Sequence, residues 1–256
     1  ILVDEAHRLN EKSGMFQNMG ENQIKEIIHA ARCSVFFIDE SQRVTMNDIG
    51  SVAEIEKWAN RAGAEITKME LVSQFRCNGS DGYLAWLDNT LDIRETANWD
   101  MQDIDYDIQI MDSPHDVRNI ILEKNVASNN KARLLAGYCW DWPKAGRNKT
   151  TEPDIIIGDF KMSWNLENTS TFAIDENSVN EIGCIHSSQG LEFDYVGVII
   201  GEDLRYKDGK VVTDFTKRAK TDQSLKGIKK LHKENPEKAQ KTADEIIKNT
   251  YRTLMT

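Results

Sequence analysis

With 256 residues, 39% of them apolar and 29% charged, the chain is long enough to bury the cores of one or two domains, and its patterning favours two. The lack of any apolar run of about 18 residues excludes a membrane-spanning helix, and a net charge of −10 excludes a surface that coats nucleic acid indiscriminately. Four scattered cysteines (Cys33, Cys77, Cys139 and Cys184) without C-x-x-C spacing, and no segment of signal-peptide type, point to reduced thiols and a cytoplasmic location.

Apolar runs of a few residues alternate with amphipathic stretches, the pattern of a parallel sheet with helices on its faces. In chain order, strands are expected at Ile1 to Val3, Ser34 to Ile38, Ile66 to Val72, Ile108 to Met111, Leu134 to Tyr138, Asp154 to Ile157, Ile182 to His186 and Tyr195 to Ile200. A helix with one apolar face is expected through Val52, Ile55, Trp58, Ala59 and Ala62. Another follows Ser113-Pro114, a capping serine with proline at the first helical position. The acidic stretch Asp88 to Asp107 suggests a boundary between a first domain, 1–90, and a second, 91–256. Lys144 to Pro153 reads as a loop, about 207–240 as a basic insertion, and Ala243 to Leu254 as the last helix. From Thr216 to Gln240, eight Lys/Arg face three acids, a local balance of +5. That run is either a solvated insertion or an arm that touches phosphates.

Five strings carry chemistry. Ile1-Leu2-Val3-Asp4-Glu5-Ala6-His7-Arg8 is an apolar strand delivering two adjacent carboxylates, the arrangement that sets one acid on a magnesium ion and the next beside an attacking water. Phe37-Ile38-Asp39-Glu40-Ser41-Gln42-Arg43 ends a strand on an acid and, three residues later, a neutral amide able to hydrogen-bond a terminal phosphate. Leu71-Val72-Ser73-Gln74-Phe75-Arg76-Cys77 supplies a guanidinium, suited to charge on transferring phosphoryl oxygens. The fourth string runs from Cys184 through His186-Ser187-Ser188-Gln189-Gly190-Leu191-Glu192-Phe193-Asp194 to Val196, and the fifth from Asn249 to Thr256. Taken singly, each has a plain reading: a strand-end cap for Asp4 and Glu5, a surface ion pair for Arg76, a satisfied strand-end histidine for His186. Tyr138, Trp140, Trp142 and Trp164 are read as core rather than as a base-stacking platform.

In this order the strings resemble motifs II, III, IV, V and the start of VI of superfamily 1 helicases, most closely the bacterial branch grouped with the Schlafen helicase-like domains. The acid-x-x-Gln string and the missing S-A-T triplet separate the chain from superfamily 2, which D-E-A-H alone would suggest. The resemblance implies an α/β fold of two RecA-like P-loop NTPase domains with parallel sheets, the first incomplete. It implies Asp4 as Mg²⁺ ligand through water, Glu5 as general base, Gln42 as γ-phosphate sensor and Arg76 as a group reaching the γ-phosphate of ATP. Gly190 and Glu192 would lie at the nucleotide edge, and His186 and Ser187 on the path of single-stranded DNA or RNA. Ile38 stands where many relatives have glycine and Gln189 where many have lysine. The sequence holds no G-x-x-x-x-G-K-S/T loop and stops before the motif VI arginine. The chain is therefore expected to be a piece of a longer ATP-dependent helicase or translocase, inactive alone; the alternative is a helicase-like binding module without turnover.

Overall fold

The computed structural model describes residues 1–13, 19–71, 76–142, 153–165 and 171–256. The chain is mixed α/β and divides into two compact units, Ile1–Ser73 with Gln223–Thr242, and Gln74–Asp222 with Ala243–Thr256. The acidic stretch Asp88 to Asp107 thus falls inside the second unit. Among the described residues, no helix is long and apolar enough to cross a membrane.

In the first unit, β1 (Leu2–Val3) and β2 (Val35–Phe36) pair in parallel, Leu2 opposite Val35 and Val3 opposite Phe36. The ladder extends past both strands, with Val35 N–H donating to Ile1 O at 2.9 Å and Ala6 N–H to Phe37 O at 2.8 Å. Helix α1 (Gln23–Ala30) makes the crossover and is capped by Asn22, whose side chain accepts from the Lys25 N–H. Helix α2 (Val52–Arg61) is capped by Ser51. Glu54 in its first turn accepts from the Trp58 indole N–H at 2.7 Å and from the Asn22 amide at 3.4 Å, which joins the start of α1 to α2. Parallel strands are ordinarily covered on both faces, but here Leu2 and Phe37 stay 76% and 46% exposed.

The second unit is built on three parallel strands in the order β6-β3-β7, where β3 is Ala132–Ala136, β6 Ile182–Gly183 and β7 Tyr195–Ile199. As the central strand, β3 is buried along its whole length. Two short elements come first: α3 (Asp81–Thr90), capped by Ser80, and α4 (Pro114–Ala127), capped by Ser113 with Pro114 in its first turn. The hairpin β4 (Ile155–Ile157) with β5 (Phe160–Met162) adds Ile155, Phe160 and Met162 to a core shared with Ile121, Leu134, Trp164 and Ile182. A second hairpin, β8 (Leu204–Lys207) with β9 (Lys210–Thr213), turns through Asp208 and Gly209, both with positive φ, as an Asp-Gly hairpin turn requires. The turn α5 (Ile185–Ser188) follows β6. Helix α6 (Ile228–Glu234) belongs to the first unit, and α7 (Pro236–Leu254) begins in the first and ends in the second, where Ala243, Ile246, Ile247, Tyr251 and Leu254 are buried at helical spacing.

The expected strands at Ile66 to Val72 and Ile108 to Met111 do not form among the described residues, and Val72 lies outside them. An apolar run becomes a strand only beside a neighbour that completes its hydrogen bonds. These have none, and Met69, Leu71 and Ile110 are 92%, 81% and 94% exposed. Most of the expected loop Lys144 to Pro153 lies outside the described residues. The aromatic residues behave as core: Trp164 is buried and stacks on Trp142, ring centroids 5.0 Å apart, with Tyr138 and Trp140 packed against the same cluster.

The strand β3 carries a fully buried arginine, Arg133. Its Nε donates to Phe172 O and Ser178 Oγ, and its terminal nitrogens to Asn125 and Asn130 side-chain oxygens and to the carbonyls of Asn130, Ala132, Ala173 and Asp175. Burial pulls its pKa down, and Asp175 works against that pull. The guanidinium thus replaces water as the donor for the segment around 172–178. Substituting Arg133→Met would leave several buried carbonyls without a donor, so a loss of about 3 kcal/mol or more is expected in denaturant unfolding. An unfolding midpoint equal to the parent's would show that those carbonyls find other donors.

Candidate functional site

The first unit delivers its chemistry at one edge of its sheet. Because β1 and β2 run in parallel, Asp4 and Glu5 follow the carboxyl end of one strand and Asp39 to Gln42 the carboxyl end of its neighbour. Asp4 is exposed, and its Oδ1 accepts from the Glu5 N–H at 2.9 Å. Glu5 has left-handed backbone, φ 51 and ψ 42, a conformation in which non-glycine residues are uncommon and cluster at functional sites. From there the chain enters a 3-10 turn, Ala6–Arg8, with Arg8 N–H donating to Glu5 O at 2.9 Å.

Beneath the acids lies His7, 1% exposed, with Nε2 3.3 Å from Glu5 Oε2. Burial lowers its pKa, although Glu5, Asp39 and Asp48 each pull it up and Arg8 assists the lowering. At neutral pH the imidazole is therefore uncharged, and the 3.3 Å approach is a polar contact rather than an ion pair. Asp39 holds the second string: Oδ1 accepts from the Ser41 N–H at 3.0 Å and Oδ2 from the Gln42 Nε2 amide at 2.9 Å. Gln42 is buried, and its Oε1 has no hydrogen-bond partner among the described residues. Glu40 accepts from the Val52 N–H and ties this turn to the start of α2. Asp48, buried and accepting from the Thr45 N–H, has its pKa raised by desolvation.

Gly50 closes this edge from the side. A Cβ there would stand 1.9 Å from Ala6 O and 2.6 Å from His7 Cα, so the chain after Asp48 lies directly on the turn that carries Glu5 and His7. In the sequence His7 is marked only as part of the D-E-A-H string, and neither Asp48 nor Gly50 belongs to any of the five strings. Asp39 was visible as the acid ending the second string; nothing local distinguishes Asp48 or Gly50.

The other string residues belong to the second unit. Arg76 opens a 3-10 turn, Arg76–Gly79; residues 72–75 of its string, and its own side chain, lie outside what the structure describes. The string from Cys184 leaves the carboxyl end of β6. The strand expected to reach His186 stops at Gly183, because Cys184 caps a helical turn: Ser187 Oγ accepts from the Cys184 N–H at 2.8 Å and donates to Cys184 O at 3.0 Å. Ser187 is 1% exposed, so its hydroxyl closes the turn and presents nothing to a surface. His186 is exposed, with its ring 6.0 Å from that of Tyr138 at the end of β3. Gly190 (φ 80) and Glu192 are exposed beyond it. The fifth string is built in: Arg252 Nε donates to Asp88 Oδ1 at 2.5 Å, and Tyr251 is buried.

The donor set at the first unit's edge suits a hard cation held mainly through water and phosphate. Such an ion takes one or two carboxylates, and Asp4 presents one in the open. Among the described residues, no cluster of three or more His, Cys, Asp and Glu is arranged as a metal cage.

Two consequences are measurable. His7 has its pKa below the ordinary 6.5, so as pH falls the unfolded chain protonates first. Unfolding free energy should therefore drop from pH 6.5 down to the folded pKa, and His7→Asn should flatten that segment. Asp48, shifted up from 3.8, acts with the opposite sign at lower pH. A slope that survives in His7→Asn would assign it to another group. Gly50→Ala should cost about 1–3 kcal/mol, read as a lowered thermal midpoint, and an unchanged midpoint would mean the loop yields without strain.

The chain matches, over residues 1–256, the family model described as Schlafen group 3, DNA/RNA helicase domain. It is 24% identical over 279 residues to an uncharacterized protein of Saccharomyces cerevisiae, an alignment covering 100% of this chain and 60% of that protein. The chain therefore spans about 60% of the length of this relative. No solved structure gives a significant match.

Proposed function

Since the chain belongs to the Schlafen group 3 DNA/RNA helicase domain family, we propose that the protein carrying it is an ATP-dependent helicase or translocase of superfamily 1, bacterial-type branch, with two RecA-like domains. The observation that carries this reading is the shared edge of β1 and β2, where Asp4-Glu5 and Asp39–Gln42 emerge side by side. In open sheets of parallel strands, ligands bind outside the carboxyl ends.

In this reading Glu5 takes the proton from the attacking water. Its left-handed backbone and the His7 contact fix where the carboxylate stands, so His7 is a positioning residue. Gln42 contributes a buried amide: Nε2 spends one of its two hydrogens on Asp39, and Oε1 is an acceptor held ready for a donor such as water. Asp4 would hold Mg²⁺ through its water shell, and the ion, when bound, neutralises charge on the phosphates. Arg76, Gly190 and Glu192 are assigned to the nucleotide by the family resemblance, and His186 to the nucleic-acid strand. Ser187 serves that strand only indirectly, by shaping the turn that displays His186.

Glu5→Gln in the protein carrying this chain should lower nucleic-acid-stimulated ATP hydrolysis by at least about 100-fold, with nucleotide affinity retained in a titration. Hydrolysis at the parental rate would remove Glu5 from the role of base. A parent that binds single-stranded DNA or RNA without any hydrolysis would instead identify a binding module of the same family.

A further inference from the structure

The basic run expected at about 207–240 is two different things. Its first part belongs to the second unit and is partly neutralised there: Lys217 pairs with Glu202 at 2.8 Å, and Arg218 with Asp203 and Asp222 at 3.0 and 2.8 Å, while Lys207, Lys210 and Lys220 are exposed. Its second part, 223–242, belongs to the first unit and holds six lysines against two acids, whereas 1–73 holds eight Lys/Arg against twelve acids. The first unit thus carries its positive charge as one island on an otherwise acidic body.

The island is anchored. Leu225 and Ile228 are both 5% exposed, Met46 N–H donates to Ser224 O at 2.8 Å, and Ala239 is fully buried. On a 3.6-residue turn, Lys229, Lys230 and Lys233 centre on the side of α6 opposite Ile228 and Leu231. Lys226 just before α6, and Lys238 and Lys241 in the first turns of α7, are exposed as well. Among the described residues, the ion pair in this set is Lys230 with Glu234, at 3.9 Å and on the surface. A surface pair of this kind is worth little. Elsewhere in the unit Lys25 pairs with Glu21, Lys57 with Glu54 and Lys68 with Glu56, while Lys12 is exposed.

We infer that this face of α6 and the start of α7 is a docking surface for the phosphodiester backbone of single-stranded nucleic acid. The inference rests on the function proposed above and adds the surface that holds the strand. Exposed ammonium groups, all but Lys230 without an acid partner among the described residues, are the charge complement of a polyanion, and binding there releases the counterions of the strand. Lysines recur about once per turn, ~5.4 Å along α6. A row at that interval can follow the phosphates of one strand. The negative charge elsewhere keeps the strand on this face.

Binding of labelled single-stranded DNA and RNA to the full chain, measured by anisotropy between 50 and 200 mM salt, tests the surface. The variant carries Lys226→Gln, Lys229→Gln, Lys230→Gln and Lys233→Gln together. Each lost contact removes about 0.7 from the salt slope, so over that range the parent should lose roughly 50-fold more affinity than the variant. Arginine at the same four positions should restore the slope, while Lys207→Gln with Lys210→Gln should leave it unchanged. A four-lysine variant that binds with the parental slope overturns the surface and leaves the proposed function standing. A parent that binds no oligonucleotide overturns both. Equal lysine dependence with duplex DNA or with polyglutamate overturns the assignment to a single strand.

Discussion

Asp203 is completely shut off from water, and three groups from distant parts of the chain converge on its carboxylate. Arg218 donates to one oxygen at 3.0 Å, and the Tyr251 hydroxyl to the other at 2.6 Å while itself accepting from the Gly201 N–H at 2.9 Å. The Cys139 thiol, pushed up to about 12 by burial and by Asp203, donates to it as well. Burial works against the charge on Arg218, but Asp222 and Asp203 together hold its pKa above the usual value. A buried carboxylate is tolerable only when paired and hydrogen-bonded throughout. The second unit's order beyond β3 and β7 depends on that condition, because the network fixes α7, the segment 215–222 and the ends of both strands to one another. It also dictates composition: at Gly137, just past β3, a Cβ would stand 2.1 Å from the Tyr251 hydroxyl. Tyr251, part of the fifth string, thus serves the fold.

The first unit is organised by a smaller constraint, the parallel pairing of two short strands. Its consequence is positional. Once β1 and β2 lie side by side, whatever follows each strand is delivered to the same edge, and both sequences continue with acids. The neutral imidazole of His7 and the close approach of Gly50 then set the depth at which those acids stand.

The sequence made the strand ends legible and left their surroundings opaque. Asp4, Glu5 and Gln42 were readable because short apolar runs stop abruptly on polar groups, and the Ser113-Pro114 cap marked a helix start by local chemistry alone. Ile66 to Val72 and Ile108 to Met111 misled because an apolar run does not encode whether a neighbour exists to pair with it. The turn after Gly183 was missed since a serine bonding back to Cys184 resembles any polar strand end. Arg133 stands just before the expected strand Leu134 to Tyr138, and nothing local marks it as buried. Its partners are main-chain carbonyls some forty residues away, and carbonyls leave no mark in a sequence. The basic run had the right composition but no sign of the break in its middle, where buried Asp203 and Asp222 hold Arg218 and the lysines of the second part stay on the surface.

Glu5 is kept in a left-handed backbone that glycine would adopt at no cost and that other L-residues occupy at roughly 1–2 kcal/mol. Selection for thermal robustness alone would discard this acid among the first residues to go. Lineages in which turnover has lapsed should therefore drift toward glycine or asparagine there and melt later than their working cousins. Under the proposed role of Glu5 as base, glutamate at so uncomfortable a position would be the mark of continued use.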